Sequence, residues 1–159
     1  MPNTYVFKEL GKVEDLKREK VNGNFILTGA FGKFSFIPNY KELVTSLKET
    51  IVNNGGIIGE LEHPNRSNIE LREVSHKITY LDVNYCGEVT GTIEILSTPK
   101  GKIVDAIIES GLPLFVSPRS VGTRDEFGNV IVDKIITFDL IGSPNKYNNI
   151  FLINNITNK

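Results

Sequence analysis

The sequence predicts an α+β fold, a mainly antiparallel barrel or sandwich carrying two principal helices. Six or seven short segments are apolar, alternating or rich in β-branched residues, with glycine-containing turns between them. Two stretches, 39–53 and 98–111, combine helical periodicity with recognisable ends. The order of strands and helices is too irregular for a doubly wound parallel sheet. A single domain is expected over residues 1–159, with 1–20 a candidate mobile amino-terminal segment and 145–159 a candidate tail.

Tyr5, Val6 and Phe7 read as a short strand, and the charged run from Glu9 to Lys20 as a solvated excursion. Phe25 to Leu27 and Lys33 to Ile37 read as strands on either side of a turn at Thr28–Gly32. Asn39 can cap a helix through Asn53, with Leu43, Leu47 and Ile51 on one face, and Gly55 and Gly56 end it. Ile57 to His63 reads as a strand stopped by Pro64, Asn65 to Glu70 as a polar loop, and Leu71 to Val83 as a long strand. Cys86-Gly87 turns the chain into a hairpin partner, Glu88 to Leu96.

The second helix is the clearest. Thr98 is its N-cap, Pro99 sits where a missing N–H does no harm, and Gly111 closes it. Ile103, Ala106, Ile107 and Ser110 form its expected buried stripe. Leu112 to Val116 follows as a central strand that delivers Ser117, Pro118 and Arg119 at its end. Residues 124–129 read as a turn and Val130 to Ile141 as a long β segment carrying Asp133 and Asp139, before an asparagine-rich tail.

Composition excludes several function classes. The formal net charge of -1 gives no field favouring nucleic acid or an anionic membrane. No basic stripe is present, and no apolar run approaches the roughly 20 residues that span a bilayer. The single cysteine, Cys86, cannot form an internal disulfide, and no secretory h-region precedes Lys12, so an intracellular location is expected. Two histidines and one cysteine show no metal-site spacing, and Gly29-Ala30-Phe31-Gly32 lacks the lysine of a phosphate loop. No cofactor or metal is expected.

Ser117 and His63 are the primary candidate pair. A serine hydroxyl becomes a nucleophile when an imidazole takes its proton, and both residues are expected at strand ends beside prolines. Taken alone, the pair is also consistent with a turn serine and a surface histidine. The group that orients the imidazole is open among Asp139, His76 and Glu60, in that order, with Glu62, like Glu60, too close in sequence to His63 for a ready in-strand contact. Asp139 leads because a carboxylate between Phe138 and Leu140 would be costly without a partner. Arg119 could bind a substrate carboxylate or carbonyl, or anchor its own loop. Backbone N–H groups between Pro118 and Gly122 are candidate oxyanion donors.

Four blocks then resemble, in order and interval, the prohead (capsid maturation) proteases of tailed bacteriophages. They are Gly59-Glu60-Leu61-Glu62-His63-Pro64, Val74-Ser75-His76-Lys77-Ile78, the run from Gly91 to Lys102, and Val116-Ser117-Pro118-Arg119-Ser120-Val121-Gly122, within roughly residues 55 to 145. Phe138-Asp139-Leu140-Ile141 is similar to the family's late strand. The resemblance implies a fold shared with herpesvirus assemblins, a β-barrel surrounded by helices. It implies a serine endopeptidase that cleaves scaffold and major capsid proteins inside the assembling procapsid, in the host cytoplasm.

Ser117 matches the family's nucleophile and His63 its general base. The third member is a histidine after the serine in assemblins and an acidic residue in the phage enzymes. This chain has no histidine after Ser117, which turns the choice from His76 to Asp139. Ser120 departs from the small residue, often glycine, expected there. Family members often cut after glutamate, which would give Arg119 or another basic side chain a binding role. Assemblins act as dimers, and a homo-oligomer is left open here. The alternatives are an inactive capsid- or scaffold-binding module of the same fold, or an esterase. Against the esterase, Phe115 and Arg119 stand where a Gly-x-Ser-x-Gly elbow has glycines.

Overall fold

A computed structural model describes residues 9–35, 37–64, 66–143 and 150–152. The expected strand at Tyr5–Phe7 and most of the asparagine-rich tail lie outside them. Residues 9–21, expected as a solvated excursion, are regular structure, though β2 within them is solvated. They form β1 (Glu9–Lys12), a 3₁₀ turn that buries Val13, and β2 (Lys17–Val21). Asn22 and Gly23, both at positive φ, then make the two-residue turn that suits the twist of a hairpin. The signal was the Asn-Gly pair, and the charges of Lys17 to Lys20 obscured it because every residue of β2 is exposed.

β3 (Asn24–Lys33) runs unbroken through the expected turn at Thr28–Gly32. An irregular register between Ala30 and Gly32 lets it bend instead of stopping, so that one strand pairs with three neighbours. α1 (Tyr40–Asn54) buries Leu43, Val44, Leu47 and Ile51 and ends at Gly55 in the left-handed conformation. Asn39 does not cap it through its side chain, whose Nδ2 donates to the Val132 carbonyl instead. β4 (Ile57–Glu60) stops three residues short of His63.

β5 (Val74–Val83) and β6 (Glu88–Ile95) form the expected hairpin. In α2 (Pro99–Ser110) the Thr98 hydroxyl accepts from the Gly101 N–H and Gly111 closes the helix. Its buried stripe is Gly101, Val104 and Ile108, with the expected Ile107 partly buried against the core and the expected Ile103, Ala106 and Ser110 exposed. Ile103 is 44% exposed. Gly101 explains the rotated phase, since a Cβ there would overlap the Leu96 carbonyl oxygen. Close approach at the helix start turns the adjoining face inward.

β7 (Phe115–Arg124) and β8 (Val130–Ile141) form a long hairpin, and β9 (Ile150–Leu152) lies parallel to β7. The sheet order is β4-β5-β6-β3-β1-β7-β8, with β2 beside β3. Its two ends meet. Leu61 bridges Leu140 in parallel, and the Thr137 hydroxyl donates to the Ile58 carbonyl. The result is a nearly closed, mostly antiparallel barrel with two helices, as expected from the sequence. Inside it Phe138, 0% exposed, packs against Phe31 and Phe34 at centroid separations of 5.2 and 6.0 Å.

Gly59 controls the closure. His76, on β5, reaches across β4 to donate from Nε2 to the Phe138 carbonyl of β8 at 2.8 Å. A Cβ on Gly59 would stand 2.3 Å from that Nε2 and 2.5 Å from that oxygen. Gly59→Ala is therefore expected to break the bridge and lower unfolding free energy by about 3 kcal/mol, read by urea denaturation. An unchanged midpoint would mean that the crossing is not tight.

Candidate active site

Direct cross-strand partners point to the same face of a sheet, and so do residues two apart on one strand. Ser117 on β7 is the register partner of Asp139 on β8, and Arg119 follows Ser117 by two. Nucleophile candidate, acid and guanidinium thus share one face by strand geometry alone. His63 arrives from a different direction, on the loop that leaves β4 where the barrel closes. Its Nε2 lies 2.9 Å from Ser117 Oγ and its Nδ1 2.7 Å from Asp139 Oδ2.

The hydrogen-bond pattern assigns the protons. Asp139 Oδ1 accepts from the Glu60 N–H at 3.0 Å and from Arg119 Nη2 at 2.8 Å. Oδ2 accepts from Arg119 Nε at 2.8 Å and faces His63 Nδ1. A carboxylate so supplied is an acceptor only, so Nδ1 carries its hydrogen toward it. Nε2 is then the bare nitrogen, and the Ser117 hydroxyl donates to it. Burial is the largest influence on Asp139 and would by itself raise its pKa. The hydrogen bonds from His63 and Arg119, with the Arg119 charge, outweigh it and hold the carboxyl below the usual aspartate value. The group is dry: Asp139 is 0% and Ser117 1% exposed.

Arg119 is also 0% exposed, which removes it from the surface where a substrate side chain would be met. Beyond Asp139, its Nη1 donates to the Asn68 carbonyl at 2.8 Å. Of the two uses weighed from the sequence, this geometry is that of an anchor. Glu60 is not beside the imidazole. Its carboxylate accepts from Arg66 Nη2 at 2.8 Å and from the Glu70 N–H at 2.8 Å. Together Arg119 and Glu60 hold the loop that carries His63. Arg66 went unnoticed in the sequence, where only its position in a polar loop was visible.

His76 lies apart from His63. Ser75 Oγ donates to its Nδ1 at 2.6 Å, while Nε2–H serves the Phe138 carbonyl. It therefore steadies the backbone next to Asp139 and has no bond to the imidazole of His63. Gly122 is not brought to the site. It follows Ser117 by five residues on β7, about 16 Å at ~3.3 Å per residue, and pairs with Val132 on one side and Leu152 on the other. The expected loop after Ser117 is strand, so Ser120 to Gly122 lie in a paired ladder. A cavity of about 690 Å³ beside α1, lined by residues such as Lys41, Val44 and Tyr85, shares no residue with Ser117, His63 or Asp139. Among the described residues no cluster of His, Cys, Asp or Glu could hold a metal ion, and no helix is long and apolar enough to cross a membrane.

A family model described as prohead core protein serine protease matches residues 40–145. The chain belongs to that family. Two thirds of the sequence falls within the match, including β4 to β8 and all of Ser117, His63 and Asp139. The fold is similar to that of the bacteriophage T4 capsid assembly protease gp21, with a TM-score of 0.59 and 16% identity. That match covers 85% of this chain and 93% of the other. No curated protein matches the chain.

Burial depresses the pKa of His76, outweighing the opposing pull of the Phe138 carbonyl. A depressed folded-state pKa gives stability that is complete above the unfolded value, ~6.5, and is lost as pH falls toward the folded one. Unfolding free energy should therefore decline below about pH 6.5, with a His76 contribution of at most ~1.4 kcal/mol per pH unit. Urea titrations between pH 8 and 5 check this against His76→Gln, which should show the shallower slope. Equal slopes would mean that the ring takes up its proton freely in the folded protein.

Proposed function

We propose that this member of the prohead protease family is a serine endopeptidase that cleaves scaffold and major capsid proteins within the assembling procapsid, in the host cytoplasm. The observation that carries the reading is the continuous hydrogen-bonded chain Ser117 Oγ–His63–Asp139, at 2.9 and 2.7 Å. Ser117 Oγ attacks the scissile carbonyl carbon while its proton passes to His63 Nε2. The tetrahedral adduct collapses as His63 returns that proton to the departing amine, leaving an acyl ester on Ser117. Water, deprotonated by the same nitrogen, attacks the ester, and His63 returns that proton to Ser117 Oγ as the second adduct collapses to the acid product.

Asp139 keeps the imidazole in the tautomer with a bare Nε2 and stabilises the imidazolium that forms. Arg119 keeps Asp139 ionised in a dry site, an anchoring role and not a substrate contact. The proposal is checked by co-expressing the chain with its cognate scaffold protein and analysing fragments by mass spectrometry. Ser117→Ala and His63→Ala should abolish cleavage, and Asp139→Asn should slow it by about 10⁴-fold, because an amide stabilises the wrong tautomer. Cleavage by Ser117→Ala at the wild-type rate would point to another nucleophile.

A further inference from the structure

We infer that Glu62 is a positioning residue for His63, clamping the chain at the end of β8 so that the imidazole meets Asp139. The inference deepens the peptidase reading and rests on it. Glu62 has φ 70°, and the one other non-glycine residue at positive φ among those described is Asn22, in a hairpin turn that requires it. Glutamate has no intrinsic liking for this region, so surrounding contacts must hold it there.

Those contacts come from one short run of β8. The Glu60 N–H donates to Asp139 Oδ1 at 3.0 Å, Leu61 bridges Leu140 in parallel, and the Glu62 N–H donates to the Leu140 carbonyl at 2.6 Å. Glu62 Oε2 then accepts the Gly142 N–H at 2.9 Å. The segment 60–62 is thereby fastened along 139–142. An extended residue at 62 would continue the strand direction and carry His63 past Asp139. The left-handed turn bends the chain at that point, and His63 Nδ1 arrives 2.7 Å from Oδ2. Glu62 touches none of the reacting atoms, and its side chain reaches no other described hydrogen-bond partner. Gly142 suits the approach, since a Cβ there would stand 3.3 Å from Glu62 Oε2.

The test compares Glu62→Gln, which keeps an oxygen acceptor for Gly142, with Glu62→Ala, which keeps the backbone bond to Leu140 but loses the side-chain link to Gly142. Two readouts are taken on folded full-length protein: kcat and KM for a scaffold-derived peptide, and the downfield proton NMR resonance of His63 Nδ1–H. Glu62→Ala should lower kcat about tenfold with KM within about twofold, and should broaden or shift the resonance. Glu62→Gln should restore both. An alanine variant matching wild type in kcat and resonance, or a glutamine variant no better than alanine, overturns the inference. If wild type cleaves nothing while the resonance follows the expected pattern, the peptidase reading fails and the positioning role stands.

Discussion

One buried carboxylate organises the functional half of this molecule. Asp139 sits in an apolar strand between Phe138 and Leu140 and is closed to water, where a bare charge would be intolerable. Its oxygens are met instead by a guanidinium, a backbone N–H and an imidazole. Each of those donors comes from a different part of the chain. Satisfying the carboxylate therefore obliges β4, β7 and β8 to come together, and the nearly closed barrel is the form in which they do.

Arg119 shows how fixing the acid also fixes its surroundings. A planar guanidinium can serve a carboxylate with two parallel N–H groups and still have donors to spare. Here the remaining group reaches the Asn68 carbonyl, so the charge that stabilises Asp139 also tethers the loop after His63. Glu60 works from the opposite side, its backbone serving Asp139 and its side chain holding Arg66. His76 steadies the Phe138 carbonyl from beneath β4, made possible by the missing side chain at Gly59. The result is a site held by the barrel wall, with little left to a free loop.

Much of the fold was legible because it depends on local chemistry. Thr98-Pro99 and Gly111 bracket α2, and Gly55 ends α1, as capping residues do in isolation. Other features were legible only in part. The Asn22-Gly23 turn was written in the chain, but an exposed edge strand of Lys, Arg and Glu looks like solvated coil. The phase of α2 was misread because Gly101, the residue of closest contact, has no side chain to count as apolar. Ser117 was expected at the end of a strand and lies near the start of β7, since nothing local distinguishes a strand end from a strand that continues through Pro118.

What the sequence determined by itself was the alternation that makes strands, the two capped helices, and the short list of residues able to do chemistry. Asp139 stood out there because an apolar neighbourhood makes an acid conspicuous, and two histidines left little choice of base. Only the tertiary structure decided which of these meet, and with what. Glu60 became a backbone donor because barrel closure brought it to Asp139 from 79 residues away along the chain, and Arg119 met Asp139 across the β7–β8 hairpin and Asn68 from 51 residues away. Such pairings depend on the summed packing of the whole sheet, which no window of local sequence contains.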